Sequence, residues 1–253
     1  MSSPDIMRED EKADLVTHLE ELRGRLIRTA IYIMLGMAIG WFFYDSFLAR
    51  FLMAPISRAL HGVKGSQMTM RGVIEPFTTK LLISFVAGLV IAGPFVIWEA
   101  WSFIAPGLTR EERRSVRPYL PMVILLFLCG VVTCYFIMPA AFRWIFSLTP
   151  KDVTLLPSFG DYVGFMAKMF LAFGLCFQLP VAIMILAKLG IVSSRGLVRR
   201  WREAFVAIAI AAAVVTPSVD AASMIALMVP LLILYWLSIF LARRVEPKED
   251  TEE

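Results

Sequence analysis

Long runs of apolar residues dominate this chain and restrict what it can fold into. Six stretches are rich in hydrophobic side chains, and most reach the roughly 20 residues that a membrane-spanning helix needs. Of all residues, 58% are hydrophobic and only 18% are charged, whereas soluble domains average about 25% charged residues. The sequence therefore predicts an all-α membrane protein with six transmembrane helices.

Turns rich in proline, glycine and charge separate these stretches. We expect the six helices at residues 26–48, 77–98, 119–139, 159–186, 204–215 and 221–242. The fourth should be interrupted at Pro180, because proline removes a backbone donor and kinks a helix. The fifth has 12 apolar residues, or roughly 18 Å of helix against a bilayer core of roughly 30 Å. Helices five and six are therefore predicted to be short, unless the fifth begins at Trp201.

The chain is predicted to form one integral membrane domain over residues 1–253. Residues 1–25 form a cytoplasmic amphipathic segment, residues 26–242 the six-helix membrane region and residues 243–253 a cytoplasmic tail. Arg28, near the start of the first helix, is expected to extend toward the lipid headgroups. The first outer loop should contain an interfacial helix that is broken at Pro55.

Positive charge is distributed unevenly between the two sets of loops. The segments on the side of the termini carry sixteen Lys and Arg residues, and those on the other side carry six. Since cytoplasmic loops carry the excess of Lys and Arg, both termini are predicted to be cytoplasmic. The same loops explain the net charge of +4, so no nucleic-acid partner is expected.

The usual signatures of enzymes and metal sites are missing from the sequence. The three cysteines all fall within apolar stretches, and the two histidines lie on opposite sides of the predicted membrane. No nucleophile and base stand at a catalytic spacing, and we expect no catalytic residue, metal or cofactor. The alternative function, a small secondary transporter, would need internal repeats and binding groups at the membrane midplane. Neither is visible.

Acidic residues cluster at the predicted cytoplasmic ends of helices one to three: Glu20, Glu21, Glu99, Glu111 and Glu112. A carboxylate in a partly dry interface binds a guanidinium through two parallel hydrogen bonds. These acids could therefore hold arginines of another polypeptide, or pair with local arginines such as Arg23, Arg25, Arg113 and Arg114. Within the membrane, Gln178 could bind carbonyls freed by Pro180 or serve a functional contact.

Several short motifs, in order along nearly the whole chain, resemble those of the TatC family, the multispanning receptor subunit of the twin-arginine (Tat) protein translocase. They are His18-Leu19-Glu20-Glu21-Leu22-Arg23-Gly24-Arg25-Leu26, Ala54-Pro55, Trp101-Ser102-Phe103-Ile104-Ala105-Pro106-Gly107-Leu108, Glu112-Arg113-Arg114, Ala172-Phe173-Gly174 with Pro180, and Thr216-Pro217 with Asp220.

The resemblance implies that the chain binds twin-arginine signal peptides of folded cargo proteins in the bacterial cytoplasmic (inner) membrane. It also implies transport driven by the protonmotive force, single-span TatA- and TatB-like partners, contact with membrane lipid and self-association within the complex. Residues matching the family's signal-peptide contacts are Glu21, Arg23, Phe103 and Glu112, and those matching partner or transport positions are Pro55, Gln178 and Asp220.

Two positions depart from the family pattern. Gln178 stands where the family often has Glu, and Trp236 stands where it often has another acid. Because neither side chain ionises, we expect no proton-linked role for them. Gln178 keeps the capacity to form hydrogen bonds with a partner helix.

Overall fold

The structure is a computed structural model that describes residues 4–60, 68–107, 109–150, 156–215 and 221–246. Its α-helices are α1 (Pro4–Phe43), α2 (Ala49–Leu60), α3 (Glu75–Ile104), α4 (Arg110–Val116), α5 (Leu120–Ser147), α6 (Phe159–Cys176), α7 (Leu179–Lys188), α8 (Ser194–Arg199), α9 (Trp201–Val215) and α10 (Ala221–Val245). A π-helical turn, Tyr44–Leu48, joins α1 to α2. Short 3₁₀ turns, Ala105–Gly107 and Arg117–Tyr119, flank α4.

The prediction of an all-α membrane-type protein is confirmed for the described part of the chain. Five helical stretches in it are long and apolar enough to cross a membrane: Leu19–Leu60, Glu75–Gly107, Arg117–Ser147, Phe159–Lys188 and Leu227–Val245. Helix α9 is not among them. The count of six spans and the cytoplasmic position of both termini stay predictions.

Helix α9, which corresponds to the predicted fifth span, is short. Helix α9 begins at Trp201, as the alternative prediction had it, and has 15 residues. It rises roughly 22 Å, which is still short of a bilayer core of roughly 30 Å. Helix α10 has 25 residues, or roughly 37 Å, so the prediction that helix six is short is wrong. It accommodates Pro230 and continues through two arginines that suit a helix C-terminus.

Proline interrupts these helices less than the sequence suggested. Helix α2 runs through Pro55, so the predicted break there is wrong. Its buried residues Leu52, Pro55, Ile56 and Ala59 lie on one face, and packing of that face against the core offsets the lost backbone hydrogen bond. Helices α3 and α5 likewise contain Pro94 and Pro139 and extend past the predicted ends at residues 98 and 139.

The break in the fourth predicted span is confirmed. Helix α6 ends at Cys176 and α7 begins at Leu179, with Pro180 in the first turn of α7. Proline is well suited to this position, because the N–H it lacks would have no partner within the helix.

Helices α1 and α3 run antiparallel in close backbone contact, and small residues make this possible. A Cβ atom added to Gly88 would lie 2.5 Å from the Met37 nitrogen, and one added to Gly36 would lie 2.7 Å from the Gly88 oxygen. Such approach is typical of helix pairs in membranes. Farther toward the N-terminus of α1, the rings of Tyr32 and Phe95 are 5.4 Å apart. This register places the middle of α1, around Arg25 and Arg28, beside the end of α3.

Candidate functional site

Four charged residues meet where α1 passes the end of α3. Glu21, Arg25 and Arg28 follow each other at four- and three-residue spacing on α1, so they share one helix face. Glu99, near the end of α3, lies opposite them. We call this group of four residues the charged junction.

Glu99 is the centre of the charged junction. Arg28 donates from Nε to Glu99 Oε1 at 2.8 Å and from Nη2 to Oε2 at 3.1 Å. Arg25 donates from Nη1 to Glu99 Oε2 at 3.4 Å and from Nη2 to Glu21 Oε1. The Glu99 and Arg25 side chains are only 10% and 15% exposed. The carboxylate therefore binds a guanidinium fork in a partly dry environment, where such pairs form strong hydrogen bonds.

In this structure, Glu21 and Glu99 pair with arginines of the same chain, which is one of the two arrangements that the sequence allowed. The partners differ from those expected, because Arg28 is the main partner of Glu99 and does not simply extend toward the headgroups. The Nε atom of Arg25 is buried and has no hydrogen-bond partner among the described residues.

Of the other predicted signal-peptide residues, Phe103 is the one that the structure places beside the charged junction. Phe103 follows Glu99 by one turn of α3 and is partly buried. Arg23 is exposed, and its position lies about 200° around α1 from Glu21, on the opposite face. Glu112 belongs to α4, but its side chain lies outside the described residues. The structure thus brings Glu21 together with Glu99, and leaves the roles of Arg23, Phe103 and Glu112 as predictions.

Gln178 occupies the break between α6 and α7. Its Nε2 donates to the carbonyl oxygens of Gly174 and Val123, both at 3.3 Å. Gly174 precedes it by one turn, so Gln178 satisfies a carbonyl at the break, as the sequence suggested. The second bond reaches α5. The Oε1 atom is buried and has no partner among the described residues, so it remains available as an acceptor.

The predicted transport residues on the other side are only partly described. Pro55 is fully buried in α2, and beside it the Tyr162 hydroxyl donates to the Leu52 carbonyl. This bond ties α2 to α6. Asp220 lies outside the described residues.

The sequence did not reveal the charged pair of Lys80 and Asp45, nor that of Arg71 and Asp161. Lys80 Nζ lies 3.0 Å from Asp45 Oδ2 and 4.8 Å from the ring centroids of both Trp41 and Tyr44. The lysine thus joins α3 to the π-helical turn after α1. A lysine only three residues inside an apolar stretch, with aromatic rings on a neighbouring helix, is the signal that could have revealed it.

No candidate metal site occurs among the described residues. No group of three or more His, Cys, Asp or Glu side chains there could hold a metal ion. The charges of the charged junction are two carboxylates and two guanidiniums, which pair with each other.

Comparisons with known proteins place the chain in one family. The family model for the Sec-independent protein translocase protein (TatC) matches residues 17–230. The TatC protein of Carboxydothermus hydrogenoformans is 37% identical over 246 residues, covering 97% of this chain and 99% of that protein. The TatC protein of Haemophilus influenzae is 32% identical over 242 residues, covering 95% of this chain and 93% of that protein.

A solved structure agrees with these sequence matches. The crystal structure of the twin arginine translocase receptor TatC superposes with a TM-score of 0.76 at 31% identity, covering 90% of this chain and 99% of the other. A second crystal structure of the same receptor, in the detergent DDM, gives a TM-score of 0.77 with 89% of this chain covered. The chain therefore belongs to the TatC family of Sec-independent protein translocase proteins.

Proposed function

We propose that this chain is the signal-peptide receptor of a twin-arginine translocase in the bacterial cytoplasmic membrane. Its membership of a protein translocase family supports a general role in protein translocation. The finer proposal is that carboxylates at and near the charged junction bind the paired arginines of signal peptides on folded cargo.

The observation that carries this proposal is the geometry around Glu99. Its carboxylate already binds the Arg28 guanidinium through two hydrogen bonds, at 2.8 Å and 3.1 Å. The pairing supports the idea that carboxylates at this place bind guanidinium groups, and a peptide arginine would have to share or replace Arg28 there. Lysine offers a single point charge and no planar fork, so the site favours arginine.

The two carboxylates and two guanidiniums of the charged junction balance each other in charge. A peptide arginine would therefore have to compete with Arg25 or Arg28 for a carboxylate. Glu21 is more accessible than Glu99, with a side chain 37% exposed against 10%. An arriving arginine would therefore reach Glu21 first and compete there with Arg25. Each charge-assisted hydrogen bond contributes roughly 1.5–3 kcal/mol. Several of them, with burial of the apolar part of the peptide along the helices, suffice for micromolar affinity, which corresponds to about −8 kcal/mol.

Phe103, Arg23 and Glu112 complete the proposed site. Phe103 is one turn beyond Glu99 on α3 and offers an aromatic surface to the peptide beside the acids. Glu112, on α4, supplies the second carboxylate for the paired arginines. Pro55, Gln178 and Asp220 are proposed to serve transport or partner contacts.

The proposed partners are TatA- and TatB-like single-span subunits, further copies of this chain and membrane lipid. Six spans with cytoplasmic termini and one integral membrane domain over residues 1–253 complete the proposal. The protonmotive force is the proposed energy source, as the resemblance to the family implies. Gln178 and Trp236 cannot carry protons, so the coupling would not depend on those two positions.

Site-specific photocrosslinking tests the proposed location. A photoreactive residue is placed singly at positions 20–25 and 99–114, and at Gly72 as a control at the opposite end of α3. Each protein is exposed to a signal peptide with Arg-Arg or with Lys-Lys. We expect crosslinks from the first two sets with the Arg-Arg peptide only. Equal crosslinking from position 72, or equal crosslinking of both peptides, would refute the assignment.

A further inference from the structure

Four arginines form a row beside the end of the third candidate span. Arg110, Arg113, Arg114 and Arg117 are spaced by three, one and three residues, so they point to one side of the helical turn that α4 and the following 3₁₀ turn make. The two acids of α4 occupy positions 111 and 112, which lie about 100° or more away from Arg110 around the helix. The row is therefore a concentrated positive surface.

The four side chains line a single cleft. Together with Pro118 they line an open cleft with a volume of about 370 Å³. All four arginines are exposed. None of them forms an ion pair with a carboxylate in the described part of the chain. The charged junction differs in this respect, because its arginines are neutralised by Glu21 and Glu99.

The cleft lies next to the ends of two apolar helices, which indicates what kind of ligand can reach it. Arg117 is the first residue of the candidate span Arg117–Ser147, and Arg110 follows the end of the span Glu75–Gly107 by three residues. Beside the row, Val116 and Leu120 are buried and fix the turn against the protein. If both candidate spans cross the membrane, a cleft between their ends would lie at the depth of the lipid headgroups.

We propose that this arginine cleft binds the phosphate of an anionic phospholipid headgroup. Guanidinium forks bind phosphate oxygens through paired hydrogen bonds. Clusters of four to eight basic residues directly beside a transmembrane helix attract anionic lipids at roughly 1 kcal/mol per residue. The bound phosphate neutralises part of the positive row. Glu112, a proposed signal-peptide contact, lies between these arginines. Lipid binding is therefore measured without signal peptide, so its result is separate from that of the peptide-binding experiments.

Lipid binding by the purified full-length chain tests the inference. Native mass spectrometry in detergent measures the affinity for phosphatidylglycerol, with phosphatidylcholine as the zwitterionic reference. The test variant combines Arg110→Gln, Arg113→Gln, Arg114→Gln and Arg117→Gln. The control combines Arg195→Gln, Arg199→Gln, Arg200→Gln and Arg202→Gln, which removes the same charge from exposed arginines of α8, of α9 and of the residue between them.

We expect the test variant to bind phosphatidylglycerol at least about tenfold more weakly than the wild type, and the control variant less than about threefold more weakly. Equal losses in both variants would overturn the inference, because the effect would then come from charge alone. Displacement of the lipid by an equal concentration of soluble glycerol phosphate would also overturn it, since the cleft would then be a site for free anions.

A smaller variant keeps the test decisive if the fourfold change disturbs folding. Arg110→Gln with Arg113→Gln changes only residues outside the candidate spans. This pair should weaken phosphatidylglycerol binding by at least about threefold. Binding as tight as that of the wild type would contradict the proposal.

Discussion

Arg28 and Glu99 form a fork-to-fork ion pair between residues 71 positions apart in the chain. Because both oxygens of the Glu99 carboxylate accept from the same guanidinium, the pair fixes how α1 and α3 are rotated about their axes. Arg25 then lies between two carboxylates. Any arginine from another polypeptide must share or replace a partner in this arrangement.

Replacement of Glu99 should destabilise the contact between α1 and α3. Glu99→Gln removes the charge that Arg25 and Arg28 both use, and leaves the buried part of Arg25 without an acid on α3. We expect the midpoint of thermal unfolding in detergent to fall by at least about 2 °C. Glu111→Gln, at an exposed acid of α4, is the control and should leave it unchanged. An equal midpoint for both variants would show that the ion pair contributes nothing to stability.

Loss of Arg28 should favour binding of a twin-arginine peptide. Arg28→Gln leaves Glu99 with Arg25 alone, at 3.4 Å, and frees one of its oxygens for a guanidinium from the peptide. We expect the affinity for a twin-arginine peptide to rise by about threefold or more, as measured by fluorescence anisotropy. A lower affinity would mean that Arg28 supports peptide binding and does not compete with it.

The close contact between α1 and α3 should be sensitive to a single methyl group. A Cβ at Gly88 would lie 2.5 Å from the Met37 nitrogen, so Gly88→Ala forces the helix backbones apart. We expect a loss of about 1–3 kcal/mol in the free energy of unfolding. Gly164→Ala is the matched control, because a Cβ at this position of α6 meets nothing within 4 Å. Equal effects of the two substitutions would contradict the packing described here.

Gln178 should stabilise the break between α6 and α7. Gln178→Leu removes the donor to the Gly174 and Val123 carbonyls. We expect a loss of about 1 kcal/mol, since hydrogen bonds between membrane helices contribute modestly. Leu175→Ala, which truncates a side chain 73% exposed, serves as the comparison in the same chemical unfolding experiment. A smaller loss for Gln178→Leu than for Leu175→Ala would refute this role.

Much of the architecture could be predicted from the sequence because the apolar runs are long. They identified the helical class, the short fifth helix and the break before Pro180. The ends of helices were less predictable. Pro55 and Pro139 remain inside helices, since burial of the surrounding apolar residues outweighs the loss of one backbone bond. The length of α10 was underestimated for a related reason, because its helix continues past the apolar stretch through Arg243 and Arg244.

The candidate site was predictable by residue type and less so by partner. The cluster of acids was visible in the sequence, and so was the capacity of Gln178 to satisfy a carbonyl at the break. The pairing of Arg28 with Glu99 depends on the register between α1 and α3, which Gly36 and Gly88 set through backbone contact. Local spacing carries no information about such a register.

Peptide affinity tests the central claim most directly, namely that carboxylates near the charged junction recognise guanidinium pairs. Binding of an Arg-Arg signal peptide and its Lys-Lys counterpart is measured for the wild type and for Glu21→Gln with Glu112→Gln, with thermal unfolding confirming that both proteins are folded. We predict that the wild type prefers the Arg-Arg peptide by at least about tenfold and that the variant loses this preference. An unchanged preference in the folded variant would contradict the account.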